Sequence, residues 1–371
     1  MKPTLRLAAL SSALMIPAAA DTVTVRNTEE LRSALPGLKS GTVLKIASGD
    51  YPGGHWVSNV SNLTVEALDP AQPPHFKGGE QAWHFSRCPQ LTLRHLRISG
   101  QTGNGLNLDD GGKAGPPVTG VTLESLQVGD IGPQGNHDAI KISGLDNVTV
   151  KDCGISGWGG EGIDFVGCHQ SRVTGCEFSG KPGFSAGAGI QMKGGSSGIV
   201  VEKCRFNNAG GRPLNLGGST GAPFYRPMGA RYEARDLTVR GCVIEGGDTA
   251  AAFVGVDGAE FSNNTILYPR KWVFRILQET TAEGFPPCRN VVIKNNRIVL
   301  RRSEVRTDIN IGSGTAPESF RFEGNHWFAE DEPARSRPVL PSAETGGRYG
   351  ADPRAGAAPA GSPDGAPLKN P

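Results

Sequence analysis

Asn147-Val-Thr-Val-Lys-Asp-Cys153 and Gly198-Ile-Val-Val-Glu-Lys-Cys204 are the same short phrase, with Cys176 between them. The phrase returns as Gln90-Leu-Thr-Leu, Gly120-Val-Thr-Leu, Asp236-Leu-Thr-Val and Asn290-Val-Val-Ile. Aligning these copies puts Leu96, Leu126, Cys153, Cys176, Cys204, Cys242, Asn264, Asn296 and Asn325 in one column. Eight residues before each lies a second column: Cys88, Val118, Leu145, Cys168, Ser196, Ala234, Val256, Cys288 and Pro317. The first column repeats at intervals of 30, 27, 23, 28, 38, 22, 32 and 29 residues, each holding two or more short β-like runs divided by Gly or Asn turns. Such runs cannot bury an apolar face alone, so the spacing predicts coils stacked into a parallel β-solenoid. At the ~4.8 Å strand spacing, Asn amides can bond along the stack while Cys and Leu pack in file, which makes both columns interior ladders. Neighbouring rungs are close, but side chains pointing the same way rarely meet disulfide geometry, so the seven cysteines are expected to be free.

Composition narrows the classes further. Fifty-three Gly, 27 Pro and 37% hydrophobic residues argue against an all-α protein and a membrane bundle. Thirty-eight Lys and Arg against 36 Asp and Glu leave a net charge of +2, without the basic excess that nucleic-acid binding needs. Lys2 and Arg6 precede an apolar stretch from Leu7 to Pro17 and the small residues Ala18-Ala-Ala20, the pattern of a secretory signal over residues 1–20. No later apolar run is long enough to span a bilayer, so a periplasmic or extracellular address is expected.

Each coil carries a second kind of run: Gly105-Leu-Asn-Leu, Ala139-Ile-Lys-Ile, Gly162-Ile-Asp-Phe, Gly189-Ile-Gln-Met, Pro213-Leu-Asn-Leu and Val273-Phe-Arg-Ile. Because side chains alternate along a strand, the apolar residues point inward and Asn107, Lys141, Asp164, Gln191, Asn215 and Arg275 form an outer polar file. Lys193 shares that face, and the turn before each run supplies Asn104, Asp138, Glu161, Ala188 and Arg212. The file describes a groove roughly 25–40 Å long, at ~4.8 Å per coil, floored by amides, carboxylates and cations. An extended acidic polymer fits it, and clustered carboxylates suit a hard cation such as Ca²⁺.

With these features residues 22–328 resemble the right-handed parallel β-helix superfamily that holds pectate, alginate and chondroitin lyases, polygalacturonases and uronan epimerases. The resemblance implies an all-β, right-handed parallel β-helix of about ten coils over residues 21–328. It also implies a short capping helix begun by Thr28, with Leu31, Ala34, Leu35 and Leu38 on one face, before Gly41-Thr-Val-Leu-Lys-Ile-Ala-Ser-Gly-Asp-Tyr51. Residues 329–371, with eight Pro, six Gly and one aromatic, read as an extended or disordered tail.

Two chemistries compete for the outer residues. A uronan lyase removes the C5 proton with a base that can be neutral and clamps the developing enolate; by resemblance to chondroitin and alginate lyases, Lys193 is the base and Arg212 the acid. Strict register sets Gly217, not Arg212, above Lys193. A glycoside hydrolase would use Asp138, Glu161 and Asp164. Those carboxylates serve equally as Ca²⁺ ligands, and Gly187-Ala-Gly189 stands where polygalacturonases carry Gly-His-Gly. His137 is the candidate base of a C5-epimerase. The longest interval contains a loop, residues 217–232, that should wall the groove, with Tyr225, Arg226, Arg231 and Tyr232 as sugar and carboxylate contacts. Its Gly-x-Ser-x-Gly lacks the strand-turn-helix context of an esterase. The expectation is a secreted, monomeric enzyme without organic cofactor that cleaves an acidic polysaccharide by β-elimination. A polysaccharide-binding adhesin on the same scaffold is the non-catalytic alternative.

Overall fold

The computed structural model describes residues 21–112 and 115–354. Three long sheets of fourteen, ten and twelve parallel strands run side by side along the molecule. A central winding contributes one strand to each sheet: Thr149–Lys151, then Gly154–Trp158, then Glu161–Val166, before the next winding opens at Arg172–Thr174. In the fourteen-stranded sheet successive windings stay in register. The inward position of the first sheet reads Val150, Val173, Val201, Val239, Phe261, Ile293 and Phe322, each paired with the next and all buried. Asn147 and Asp152, which bound one strand of that sheet, adopt left-handed backbone conformations at φ 53° and 54°, a geometry Asn and Asp tolerate better than branched residues.

Both columns are interior. The cysteines are buried and free, and the Cys153 backbone N–H points at the Cys176 sulfur at 3.5 Å. Where the column changes to Asn the amides take over. Asn264 Nδ2 donates to Asn296 Oδ1 at 3.1 Å, Asn296 Nδ2 to Asn325 Oδ1 at 2.8 Å, and Asn325 Nδ2 to Glu344 Oε1 at 2.8 Å. The same Oδ1 atoms accept the backbone N–H groups of Cys242, Asn264 and Asn296. Buried turn amides that would otherwise lack partners are thereby satisfied.

The first winding is closed by the helix Thr28–Ala34, whose Leu31 is fully buried, with Ala34, Leu35 and Leu38 packed against the core. Asn27, rather than Thr28, is the cap: its Oδ1 accepts the Glu30 N–H at 2.9 Å, and Glu30 Oε2 accepts the Arg26 N–H at 2.7 Å. Asn reaches the third helical amide as Ser or Thr does, so the helix begins one residue earlier than expected. The other end also differs. The chain does not leave the stack at residue 329: Glu344–Thr345 pairs with Arg321–Glu323, and Arg348–Tyr349 pairs with His326–Ala329. Glu344 accounts for this, since its carboxylate caps the Asn ladder and accepts from Trp327 Nε1 and Tyr349 OH. The signal expected over residues 1–20 lies outside the described residues. Among the described residues no helix is long and apolar enough to cross a membrane.

Asn296→Ala removes an acceptor for two donors of Asn264 and a donor to the Phe261 carbonyl. Urea unfolding should show a loss of about 1–3 kcal/mol with the fold retained. An unchanged midpoint would mean that the ladder contributes nothing.

Candidate active site on the outer face

The ten-stranded sheet carries the polar file in register. Asn107 pairs with Lys141, Lys141 with Asp164, Asp164 with Gln191 and Gln191 with Asn215, followed by Ala252, Arg275 and Asn310. Toward the N-terminus it continues through His84 to Trp56. Neither of these was anticipated, although His55-Trp-Val-Ser58 and Trp83-His-Phe-Ser86 show the same alternation as the later runs.

Outward orientation is not the same as exposure. Asp164 is fully buried, because Lys141 and Lys193 fold over it. Lys141 Nζ lies 2.7 Å from Asp164 Oδ2 and 2.8 Å from Asp138 Oδ2. Lys193 Nζ reaches Gln191 Oε1 at 3.0 Å and Asp164 Oδ1 at 3.5 Å. Glu161 completes the group: one of its oxygens and one each from Asp138 and Asp164 lie within 4.8 Å of one another. Asp138 is anchored from below, its N–H donating to Asn104 Oδ1 and its Oδ1 accepting the Glu161 N–H.

Three carboxylates beside the Lys141 ammonium fix the protonation pattern. Burial, the hydrogen bond with Asp138 and repulsion from Asp138 and Asp164 push Glu161 up to about 9. Burial also raises Asp164, with Lys141 and Lys193 opposing it. Burial works against the charge of Lys141, but Asp164 and Asp138 outweigh it and hold the ammonium protonated. Asp138 moves the other way: burial is overcome by the hydrogen bond from Glu161 and by Lys141. The cluster is therefore an ionised Asp138, a clamped Lys141 and a neutral Glu161, whose Oε2 has no hydrogen-bond partner.

The three carboxylates do converge, yet they do not suit Ca²⁺. The Lys141 ammonium occupies the place a cation would take between Asp138 and Asp164.

Beside the cluster lies a cleft of about 470 Å³, with Asn107, Lys141 and Lys193 in its floor and Ser219, Thr220, Phe224 and Arg226 in its wall. The wall is the loop expected to border the groove. Arg226 pins it across windings with a two-pronged ion pair to Asp110, 2.7 and 3.3 Å. Tyr225 is not a surface contact. It is buried, its hydroxyl donates to Glu233, and its ring packs edge-on against Phe285. Glu233, which no sequence signal singled out, is the fully buried hub of the loop. It accepts from the Gly194 and Thr220 N–H groups, each at 3.1 Å, and from the hydroxyls of Thr220, Tyr225 and Thr280.

The structure does not bring Arg212 to Lys193. Arg212 pairs with Ala188 at the opposite end of the strand, and its guanidinium contacts Glu279 at 3.0 Å and Asn215 at 3.4 Å. A bulge between Gln191 and Met192 shifts the register by one, so Gly218 rather than Gly217 lies over Lys193. A Cβ on Gly218 would sit 2.6 Å from Gln191 Nε2 and 3.3 Å from Lys193 Cδ, which explains the need for glycine where the loop departs. Arg275 belongs with Arg212 farther along the file, stacked at 4.5 Å on Trp272 and bonded to Asn310 at 2.9 Å. His137 turns away: its ring lies against Gly132, and Asn136 lines the cleft instead.

Residues 83–266 match the family described as the right handed beta helix region. The chain folds as a right-handed parallel β-helix. It is similar in structure to an alginate lyase from Paenibacillus sp. str. FPU-7, at 17% identity and TM-score 0.53 over 90% of this chain and 100% of that one. The A-module of the Azotobacter vinelandii mannuronan C-5 epimerase AlgE6 gives 12% and 0.50 over 86% and 93%. The Dettilon tailspike protein gives 12% and 0.51 over 88% and 68%. No curated protein matches the sequence. At such identities the likeness is one of fold, and function rests on the site.

Glu161 provides a check on the charge pattern. Its folded value near 9 exceeds its ordinary 4.5, so its contribution to stability is complete below the lower value and is lost as pH rises toward the higher. Glu161→Gln fixes the neutral form, and its unfolding free energy should fall less than that of wild type between roughly pH 5 and 9. Parallel pH profiles would refute a protonated Glu161.

Proposed function

We propose that this β-helix is a secreted polysaccharide lyase that cleaves a uronate-containing chain by β-elimination, with Lys193 as the base. The observation that carries the reading is the contrast between two neighbouring lysines. Lys141 is locked between two carboxylates and raised, whereas Lys193 has one long contact to Asp164, one to an amide, and faces the cleft. A base must reach the substrate, and of the two only Lys193 is not held between two carboxylates.

In this mechanism a uronate in the cleft meets Lys141 and Arg226, whose charges stabilise the enolate that forms when Lys193 Nζ takes the C5 proton. The C4–O4 bond breaks, its electrons leave with O4, and the C5 pair becomes the C4=C5 double bond. Lys193, which then holds the C5 proton beside the cleft, hands it on to O4. Arg212 and Arg275 bind carboxylates of neighbouring sugars farther along the file. No step requires a metal, so a chelator should leave turnover unchanged.

Hydrolysis fits the geometry less well. A retaining glycosidase needs a carboxylate that touches the anomeric carbon, and Asp138 and Asp164 are both fully buried and held by Lys141. The segment 1–20 supports export.

Pectate, alginate, chondroitin and glucuronan should be screened by the absorbance of the unsaturated product. Turnover on one of them is expected, and Lys193→Ala should reduce it by about 10²–10⁴-fold with unchanged circular dichroism. New reducing ends without absorbance would show a hydrolase. A Lys193→Ala variant that retains full rate would remove Lys193 as the base.

A further inference from the structure

The outer file does not end at Asn107. It runs on through His84 to Trp56 on the strand His55–Ser58, the last of the ten-stranded sheet. Trp56 is 59% exposed, while Trp83, Trp158 and Trp327 are completely buried. Its strand neighbours His55 and Val57 point into the core, so the indole faces outward by the alternation of the strand and not through a loose end.

The indole is also held in place. Its ring centroid lies 4.0 Å from that of His84, at 45°. His84 Nε2 is 2.5 Å from Asp109 Oδ2, and the other oxygen of Asp109 accepts from Ser86 Oγ at 2.7 Å and the Gly111 N–H at 2.8 Å. Asp109 itself lines the cleft that contains Lys141 and Lys193. The indole thus presents a broad aromatic face, held in a fixed orientation and in line with the floor of the cleft.

We propose that Trp56, supported by His84 and Asp109, is a remote saccharide-stacking subsite that extends the groove beyond the cleft. The ligand class is a pyranose ring of the same polysaccharide strand. The C–H face of such a ring is weakly positive and apolar, and it suits the negative face of an indole, while the hydroxyls at the ring edge stay in water. Trp56 lies three strand steps from Lys141, about 14 Å at the sheet spacing, so only a chain that continues past the cleft can reach it. The subsite therefore favours long substrates over short ones. It rests on the reading of the groove as a polysaccharide site.

Two measurements separate the subsite from that reading. In affinity electrophoresis through gels cast with pectate, alginate, chondroitin or glucuronan, the wild type should be retarded by at least one polymer. Trp56→Ala should lose most of that retardation, and Trp56→Phe should keep part of it. On the same polymer Trp56→Ala should raise KM about tenfold with kcat unchanged, and on its di- and trisaccharides it should change neither, the pattern of lost uniform binding away from the reacting bond. Retardation equal to wild type, or an equal loss on short and long substrates, would overturn the subsite and leave the proposed function standing. A wild type that neither binds nor cleaves any of the four polymers would overturn both.

Discussion

The backbone ladder between windings governs everything else in this molecule. Parallel strands hydrogen-bond at one fixed spacing, and each residue in a winding therefore sits above its counterpart in the one below. Inside, the constraint demands that like rest on like, and the Cys and Asn columns meet it by sulfur contacts and shared amides. Outside, it forces side chains remote in sequence into a single file. Lys141, Asp164 and Gln191 are neighbours because the ladder leaves them no other place.

This forced adjacency creates the electrostatics of the site. Asp138, Glu161 and Asp164 would repel one another if all were ionised, and they are too buried for water to screen them. The repulsion is relieved in two ways: Lys141 enters between two of the carboxylates, and Glu161 keeps its proton. The result is a fixed cation and a protonated carboxyl next to a less constrained lysine. The Lys141 ammonium stands between Asp138 and Asp164, where a calcium ion would have to displace it.

Interior and outer files were legible in the sequence because both rest on periodicity alone. The columns, the free cysteines and the order Asn107, Lys141, Asp164, Gln191, Asn215 follow from alternation and repeat spacing. What escaped depends on departures from the repeat. One extra residue between the partners of Gln191 and Met192 moves Gly218 into the position expected for Gly217. Register keeps Arg212 beside Ala188 at the start of its strand, and what escaped was its partner Glu279, 67 residues away on a loop whose course no pattern encodes. Tyr225 looks like a surface aromatic until Glu233 gives its hydroxyl a buried acceptor. Trp56 and His84 were within reach, since the alternation that marks the later runs begins at His55.

Glu233 also determines what kind of wall the cleft has. A fully buried carboxylate that receives two backbone amides and three hydroxyls is stable only while all of them stay in place, because each lost donor exposes charge to an apolar surrounding. One of those amides belongs to Gly194, the residue after Lys193, and the others come from the loop or from Thr280. Swinging the loop open would thus strip the hub and disturb the backbone next to the proposed base. The ion pair of Arg226 with Asp110 adds a second attachment on the far side of the cleft. The wall is consequently a fixed part of the site and not a lid, and the cleft that a sugar meets is already shaped before it arrives.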